Sequence, residues 1–350
     1  MKKSKGLLPI SWQRLSLIAL CVVLFVVLVG MIAGTAYIQH LIGLVTVQDP
    51  TEETLSEDEW ATLTEPSVDP TDLTGPSVGH EDVTLSTIPS TPPEELIVDG
   101  VYNILLIGED RRPGEKRQRS DSMILCSFNT NNNTITMISF LRDTYVAIPG
   151  KSPNKLNAPY AGGGASLLNQ TLTLNFGIHV DGDVMVDFEG FKGVIDMLGG
   201  VDIKLTQKEA NHLNATYGWN LTAGTNHLNG TKALAYSRIR KIDMDARRAE
   251  RQRKVLTALI NAYKSKSPTE MLSLTTDILE TGFVKTNMTA SQLTGYITKL
   301  GPMLATATIN SQQIPADGTY TNMHVGDIVD CKVIDFEVNR KILESILTAK

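Results

Sequence analysis

Residues 102–140 read YNILLIGEDRRPGEKRQRSDSMILCSFNTNNNTITMISF and contain three short apolar runs separated by polar segments. The first, Tyr102–Ile107, has the length and apolar content of a central strand. Ser122–Phe128 and Thr134–Phe140 form the second and third runs, and the asparagine-rich turn between them predicts a hairpin. A β-sheet is therefore expected to begin at Val101.

Downstream of this sheet the chain alternates predicted helices with predicted strands. We expect helices at 165–176, 188–198, 247–264, 268–279, 291–303 and 333–347, and strands at 179–186, 201–205 and 234–240. Interleaving of this kind over about 250 residues favours an α/β fold. The prediction is a single α-β-α domain with a mixed central sheet flanked by helices on both faces.

An uncharged apolar run from Ser16 to Ile38 has about the ~20 residues that span a bilayer. Basic residues precede the run and acidic residues dominate the segment after it, so the N-terminus is expected in the cytoplasm. A cleaved signal peptide is the alternative, because Gly34, Thr35 and Ala36 are small enough for a cleavage site. The run is longer than a signal-peptide core, which favours a single-pass membrane anchor.

Between Asp49 and Asp99 the chain has no lysine or arginine and is rich in Thr, Ser, Pro, Asp and Glu. Such a segment buries too little apolar surface to offset the entropy cost of ordering, so we expect an extended, disordered linker. The predicted organisation is a cytoplasmic tail at 1–14, a transmembrane helix at 15–38, an extracellular linker at 39–99 and an extracellular catalytic domain at 100–350.

The three cysteines are too few for a disulfide framework, and Cys21 lies in the apolar run. Cys126 alternates with apolar residues in a predicted strand, which is typical of a buried small side chain. A bridge between Cys126 and Cys331 is left open. The spacing of cysteines and histidines fits no zinc site.

A basic run, Tyr236–Lys254 (YSRIRKIDMDARRAERQRK), holds eight Lys or Arg residues in a chain of net charge −6. Arg238 and Arg240 are two apart, so on a strand they would point the same way. Asp245 is the predicted N-cap of the following helix. On that helix Arg248 and Arg251 continue a stripe that becomes apolar, whereas Arg247, Glu250 and Lys254 lie on the outward side.

A buried guanidinium needs an anion, and the nearby Asp243 and Asp245 are too few for four inward arginines. We therefore expect a phosphate or pyrophosphate ligand at this run. Nucleic acid is not expected as the partner, because the domain is predicted to be extracellular and aromatic residues do not alternate with the basic ones.

Two carboxylates lie at predicted strand ends. Asp110 leaves the first strand and Asp121 opens the second, so both are expected at one edge of the sheet, where open α/β sheets bind ligands. A pair of carboxylates together with phosphate oxygens suits Mg²⁺. Ordinary turn chemistry is the alternative, because Asp and Gly are common at strand ends.

Two further motifs lie beyond the third strand. Arg142-Asp143 comes directly after it, and the arginine suits two-pronged phosphate binding, although a structural ion pair is equally open. Lys155 begins a segment that runs through Gly162-Gly163-Gly164 into a helix. Glycines before a helix expose backbone N–H groups to an anion, and a flexible hinge is the other interpretation.

Taken together, and in this order behind an N-terminal anchor, these motifs resemble the LytR-CpsA-Psr (LCP) family of cell-wall ligases. Leu141 replaces the family's usual proline before the Arg-Asp pair, and Glu109 replaces a small residue. The resemblance covers roughly Val101 to Leu259 and rests on these segments: NILLIGEDRR, RSDSMIL, ISFLRDTYVAIPG, KLNAPYAGGG, VDFEGFKGVIDMLGGVDI, LNGTKALAYSRIR and DARRAERQRKVL.

The resemblance implies that the protein transfers a glycopolymer from a polyprenyl-pyrophosphate carrier to peptidoglycan. The bond formed is a phosphodiester, and the reaction takes place on the extracellular side of the cell membrane. By the same resemblance Asp110 and Asp121 would hold Mg²⁺, and Asp245 would orient arginines or act on the acceptor hydroxyl. Apolar helices around 188–198 and 256–259 would line a slot for the isoprenoid tail. The implied pyrophosphate ligands are Arg142, Arg238, Arg240, Arg248 and Arg251, with Arg112, Lys155 and Gln252 in support.

Two other functions are compatible with these residues. The protein could bind polyprenyl phosphates without catalysis, as a regulator or scaffold of envelope assembly, or it could hydrolyse the pyrophosphate lipid. The sequence leaves open whether the polymer is teichoic acid, capsule or another wall polysaccharide.

Overall fold

The computed structural model describes residues 43, 46–47, 60, 77–78, 88–109, 117–239 and 245–349. The predicted cytoplasmic tail, the transmembrane helix at 15–38 and most of the predicted linker lie outside these residues. Within the described part of the chain, no helix is both long enough and apolar enough to cross a membrane.

The described residues from Val101 onward form twelve strands and eight helices. The strands are β1 (Val101–Glu109), β2 (Ser120–Asn129), β3 (Thr134–Phe140), β4 (Tyr145–Ile148), β5 (Lys151–Lys155), β6 (Gly182–Asp187), β7 (Val201–Leu205), β8 (Gly224–Leu228), β9 (Val284–Thr286), β10 (Thr308–Ile314), β11 (Tyr320–Val325) and β12 (Ile328–Ile334). The helices are α1 (Ala158–Phe176), α2 (Phe188–Met197), α3 (Gln207–Tyr217), α4 (Gly230–Ser237), α5 (Asp245–Lys264), α6 (Pro268–Glu280), α7 (Ala290–Thr306) and α8 (Phe336–Leu347).

The main sheet is mixed and has the strand order β9-β6-β1-β2-β3-β10, with Thr46–Val47 added beside β9. Strands β1, β2 and β3 are antiparallel neighbours, whereas β6 is parallel to β1 and β10 is parallel to β3. The ends of β1, β6 and β3 and the start of β2 therefore lie at one edge of the sheet. This arrangement confirms the predicted mixed central sheet.

Helices cover both faces of this sheet. On one face, Leu105 and Leu125 pack with Leu168 and Phe176 of α1 and with Leu343 of α8. On the other face, side chains of β2 and β3 pack against α5, and those around Ile135 pack against α7. The alternation of the strands supplies both apolar faces because successive side chains point to opposite sides. The predicted α-β-α layering is confirmed.

A separate lobe with its own core packs beside α5. It is formed by α2, the antiparallel strand pair β7 and β8, α3 and α4. A capping box between Thr206 and Glu209 starts α3, and the side chain of Asn229 starts α4 by accepting from the Lys232 N–H at 3.0 Å. The lobe joins the main sheet through Val255 of α5, which is fully buried in the core of the lobe.

Several predicted elements are confirmed, and three are wrong in type or extent. Residues 234–237 of the predicted strand at 234–240 are instead the end of helix α4, because a good N-cap precedes a run of helix-forming residues. The predicted helix at 333–347 begins with the end of strand β12, and Asp335 caps the helix that follows. Strand β6 begins at Gly182 rather than at 179.

The two cysteines of the domain do not pair. Cys126 and Cys331 are both buried free thiols and belong to different apolar clusters. Burial raises the pKa of each thiol to about 12, so neither ionises near neutral pH. Both therefore act as small apolar side chains.

Candidate functional site

A cavity of about 260 Å³ lies between the main sheet and helices α2, α4 and α5. Its walls combine apolar side chains from every one of these elements with a smaller set of polar and charged ones. The apolar lining residues are Leu106, Ile107, Ile124, Val184, Val186, Phe188, Phe191, Val194, Leu234, Leu256, Leu259 and Val284. The polar lining residues are Asp121, Ser122, Asp187, Ser237, Arg238, Arg248 and Gln252.

On strand β2 and helix α5, the polar lining residues lie nearer the sheet edge than the apolar ones. On β2, Asp121 comes before Ile124, and β2 starts at this edge. Helix α5 runs away from the edge: Arg253 contacts Ser311, whereas Ile260, two turns later, belongs to a cluster with the earlier strand residue Ile309. The cavity is therefore a slot with charged residues at its mouth and apolar residues farther in. Residues of the helices around 188–198 and 256–259 line it as predicted, and the isoprenoid tail as its occupant stays a prediction.

Arg142 is held at the mouth by two carboxylates. Its Nη1 donates to Asp121 Oδ1 at 2.7 Å, and its Nε lies 3.3 Å from Asp143 Oδ2. The side chains of Arg142 and Asp121 are 16% and 18% exposed, and Asp121 lines the cavity. An arginine fixed in this way loses little rotamer freedom when it binds a phosphate.

Lys155 lies behind this pair rather than on the cavity wall. It is almost completely buried, and its Nζ is 3.3 Å from Asp143 Oδ1. Asp143 thus bridges Lys155 and Arg142. The structure gives Lys155 a supporting position, in which it neutralises the carboxylate that orients Arg142.

The predicted glycine segment at 162–164 breaks helix α1 near its start. Gly163 and Gly164 have non-helical backbone angles, and Gly164 has a positive φ of 63°. The guanidinium of Arg117 lies beside this segment and donates to the Ala161 carbonyl oxygen at 3.3 Å. A basic side chain therefore accompanies the glycines that were predicted to receive an anion.

Arg238 ends helix α4 and lines the cavity. Its guanidinium lies 4.3 Å from the centre of the Phe188 ring, a cation–π contact with the first residue of α2. Close packing positions α4 against α2: Gly230 donates its N–H to Asp196 Oδ1, and a Cβ on Gly230 would lie 2.2 Å from the Lys192 carbonyl oxygen. The strand geometry predicted for Arg238 is wrong, but its position at the site is retained.

Helix α5 has the orientation that its sequence predicts. Arg248 and Arg251 are buried, whereas Arg247 and Lys254 are exposed and both form ion pairs with Glu250. Arg248 and Gln252 line the cavity. The helical stripe therefore brings two of the predicted ligands to the slot.

Arg251 has a protein anion that the sequence did not reveal. Its Nε donates to Glu209 Oε1 at 2.8 Å, and its Nη1 donates to the Ile239 carbonyl oxygen at 3.1 Å. The expectation that the inward arginines lack protein carboxylates is thus wrong at this position. Through Glu209, Arg251 links helix α5 to the lobe, and it is not one of the residues that line the cavity. Its predicted contact with a phosphate stays a prediction.

A third buried arginine, Arg253, points toward strand β10 and donates to the Ser311 hydroxyl. Burial lowers the pKa of its guanidinium. It faces away from the cavity walls and belongs to the packing of α5 on the sheet.

Four predicted site residues are not placed by the structure. Asp110, Arg112 and Arg240 lie outside the described residues. Asp245 is the first residue of α5, one position inside the predicted cap, and only its backbone is described. Their predicted roles stay predictions.

The carboxylates on the wall are of a type that can bind Mg²⁺. Asp121 and Asp187 both line the mouth, and one oxygen of Asp187 caps α2 by accepting from the Gly190 N–H at 2.8 Å. Oxygen donors of this kind match a hard divalent cation. Among the described residues, no cluster of three or more His, Cys, Asp or Glu side chains has metal-binding geometry. The donor set thus fits a metal held partly by ligand phosphates.

Sequence reasoning missed Asp187 and Glu209 as parts of the site, and it predicted Phe188 only as part of the apolar helix that lines the slot. Asp187 could have been found, because it caps a helix directly after a strand that ends at the same sheet edge. Glu209 could not, because it lies 42 residues from Arg251 in the chain and nothing local to either residue indicates the contact.

The chain belongs to the LytR_cpsA_psr family, whose sequence profile matches residues 80–344. It is 38% identical over 197 residues to the polyisoprenyl-teichoic acid–peptidoglycan teichoic acid transferase TagU of Bacillus mycoides, covering 55% of this chain and 62% of the relative. It is 35% identical over 246 residues to TagU of Oceanobacillus iheyensis, covering 68% of this chain and 73% of that relative.

A solved structure of similar fold contains a lipid. It is the LytR-CPS2A-psr family protein YwtF (TagT) with bound octaprenyl pyrophosphate, at 25% identity and a TM-score of 0.54. The similarity covers 75% of this chain and 98% of that one. The fold described above is therefore one on which a polyprenyl pyrophosphate is known to bind.

Proposed function

We propose that this protein transfers a glycopolymer, of the teichoic acid class named for its relatives, from a polyprenyl-pyrophosphate carrier to peptidoglycan. The observation that carries the proposal is the slot itself, with arginines and carboxylates at its mouth and twelve apolar side chains in its walls. A polyprenyl pyrophosphate has the same division into a charged head and an apolar tail. The names of the relatives and the lipid bound by YwtF support the same assignment.

In the proposed reaction, an acceptor hydroxyl of peptidoglycan attacks the phosphorus that bears the glycan. The new bond joins the acceptor oxygen to that phosphorus, and the bond to the bridging pyrophosphate oxygen breaks. Polyprenyl phosphate leaves with the electron pair, the hydroxyl loses its proton, and the glycan becomes linked by a phosphodiester.

The arginines at the mouth would supply positioning and charge neutralisation, which are the main requirements of phosphoryl transfer. Arg238 and Arg248 line the space for the pyrophosphate, and Arg142 is fixed beside it by Asp121 and Asp143. Predicted support from Arg112 and Arg240 belongs to the same proposal. Asp245 would orient arginines or accept the acceptor proton.

A magnesium ion is part of the proposal. Asp121 and Asp110 would hold it, and Asp187 is a second carboxylate on the cavity wall. When bound, the ion would neutralise phosphate charge as the leaving group departs.

The membrane anchor at 15–38 and an extracellular location of the domain are also proposed. An anchor would keep the slot near the lipid surface from which the carrier must be taken, and the basic N-terminus sets this orientation.

The proposal is tested with full-length protein in detergent, a polyprenyl-pyrophosphate-linked teichoic acid precursor, purified peptidoglycan and Mg²⁺. We expect glycan linked to peptidoglycan together with free polyprenyl phosphate, and loss of both products when a chelator is added. Polyprenyl phosphate released at the same rate without peptidoglycan would instead indicate a hydrolase. Lipid binding without any turnover, by protein with an intact fold, would indicate a regulator or scaffold.

A further inference from the structure

An aromatic pair on the surface of the lobe lies outside the slot. The rings of Tyr217 and Trp219 stack with centroids 4.5 Å apart and planes 16° apart. Trp219 rests on the core of the lobe, and Tyr217 lies above it with 51% of its surface exposed. The outer face of this aromatic ring leaves apolar surface in contact with water. Covering that face with a ligand would remove the surface from water and gain free energy.

The pair is rigid. Gly218 closes helix α3 in the left-handed conformation and donates its N–H to the Asn214 carbonyl oxygen at 2.8 Å. The side chain of Asn214 then both donates to and accepts from the backbone of Leu221, each at 2.8 Å. Leu221 is itself buried in the core of the lobe. The loop that carries Trp219 is therefore fixed at both ends, and the platform needs no ordering before it binds.

A cation flanks the platform. Lys232 of helix α4 has its Nζ 5.8 Å from the centre of the Trp219 ring. The same helix carries Arg238 six residues later, which is about 9 Å along the helix axis. The platform and the charged mouth of the slot are thus connected by one short, rigid helix.

We propose that Tyr217 and Trp219 form a binding platform for the glycan strand of the peptidoglycan acceptor. The inference rests on the proposed function. The face of an aromatic ring carries negative quadrupole charge and attracts the polarised C–H groups on the face of a pyranose ring. Lys232 would meet the carboxylates of the peptide stems. Such a platform recognises the strand while leaving its hydroxyls free for reaction at the slot.

The distance from the mouth favours the acceptor over the donor. The first sugar of the donor adjoins the pyrophosphate, so it would lie at Arg238 rather than a helix length away. The acceptor is a long strand, and contacts beyond its reacting sugar would hold that sugar in place. A single lysine also suits a strand with intermittent carboxylates better than a polyanionic phosphate polymer.

Binding to the platform is measured without any donor, by co-sedimentation of the full-length protein in detergent with purified peptidoglycan sacculi. We expect Tyr217→Ala to weaken the binding about three- to tenfold, as loss of one aromatic stacking partner predicts. Tyr217→Phe keeps the ring and should bind like the wild type. Val338→Ala removes another exposed apolar side chain, on helix α8, and is the matched control.

A soluble oligomer of N-acetylglucosamine should quench or shift the tryptophan fluorescence of the wild type and of Tyr217→Phe. It should not change the fluorescence of Tyr217→Ala. All variants should stay folded with thermal unfolding midpoints close to that of the wild type, because Tyr217 is half exposed and lies outside the core of the lobe. Unchanged sedimentation of Tyr217→Ala would overturn the inference. So would a loss of donor-lipid affinity in Tyr217→Ala with sacculus binding intact, because the platform would then serve the donor.

The two proposals can fail separately. Tyr217-dependent binding to sacculi by a protein that transfers no glycan would retain the platform and remove the ligase function. Efficient transfer by Tyr217→Ala with an unchanged KM for sacculi would retain the ligase function and remove the platform.

Discussion

Arg142 Nη1 and Asp121 Oδ1 are 2.7 Å apart, and this ion pair joins the loop just after strand β3 to the start of strand β2. The second carboxylate on Arg142, Asp143, is shared with the buried Lys155. Four charged side chains therefore form one continuous chain from the core to the mouth of the slot. The position of Arg142 depends on the other three side chains.

Arg142→Lys tests this geometry while keeping the charge. A lysine has one nitrogen at its tip and cannot contact Asp121 and Asp143 while also presenting donors to a phosphate. We expect the transfer rate to fall about 100-fold, in the range seen when one oriented donor is removed from an active site. The thermal unfolding midpoint should be nearly unchanged. A lysine variant with wild-type turnover would show that the paired contacts of Arg142 are not used.

The Arg251–Glu209 pair should matter for stability in addition to any effect on catalysis. Both side chains are buried, so Arg251→Met leaves an uncompensated carboxylate beside helix α5. We expect a loss of about 3–5 kcal/mol in the free energy of unfolding, measured by denaturant titration. Glu209 also accepts from Thr206 in the capping box of α3. Replacing Glu209 should therefore lower the free energy of unfolding through the loss of both the ion pair and the helix cap.

The double variant Arg251→Met with Glu209→Gln is the control for this pair. It removes both charges together, so its loss should be smaller than the sum of the two single losses. Strict additivity would mean that the two groups do not interact in solution.

Asp183 should make the domain less stable as the pH rises. It is fully buried in strand β6, and burial raises its pKa from 3.8 to about 6, although amide hydrogen bonds from Asn169 and Asn287 oppose the shift. Between these two values the folded state binds more protons than the unfolded state. This contribution to stability is therefore complete below about pH 4 and is lost as the pH rises through about 6.

Asp183→Asn removes this titration and keeps an oxygen to accept from Asn169, which donates to the carboxylate at 3.1 Å. We expect the variant to gain about 1–2 kcal/mol at pH 7.5, because a buried charge is removed and one amide contact is lost. At pH 4 the gain should vanish. Denaturant titrations at both pH values measure the difference, and a gain of equal size at both would exclude the titration of Asp183 as its cause.

Much of the fold follows from local patterns. Strand β3 occupies the predicted residues 134–140, and helix α2 begins where its apolar periodicity begins. The strand predicted at 234–240 failed because a short apolar run does not distinguish a strand from a buried helix, and the preceding Asn229 cap was not used. Strands β5 and β9 carry too few apolar residues to be recognised alone, and β4, although apolar, is only four residues long.

In the candidate site, too, local patterns predict some features and miss the tertiary contacts. Helical phase alone separates the buried Arg248 from the exposed Arg247, because both facts depend on a period of 3.6 residues. The partner of a buried charge is a tertiary contact, and sequence spacing carries no information about it. For this reason Glu209 was missed, and the contact through which Lys155 supports Arg142, the shared Asp143, was not predicted.

The central claim is that the arginines at the mouth of the slot bind the pyrophosphate of a lipid carrier. Affinity of the full-length protein for a polyprenyl pyrophosphate of defined length, measured for Arg248→Ala and Arg247→Ala, tests it most directly. These two arginines are adjacent in sequence, and only Arg248 lines the slot, whereas Arg247 is exposed and paired with Glu250. We expect Arg248→Ala to bind at least about tenfold more weakly and Arg247→Ala to bind like the wild type. Equal losses, or a larger loss for Arg247→Ala, would contradict the placement of the pyrophosphate in this slot.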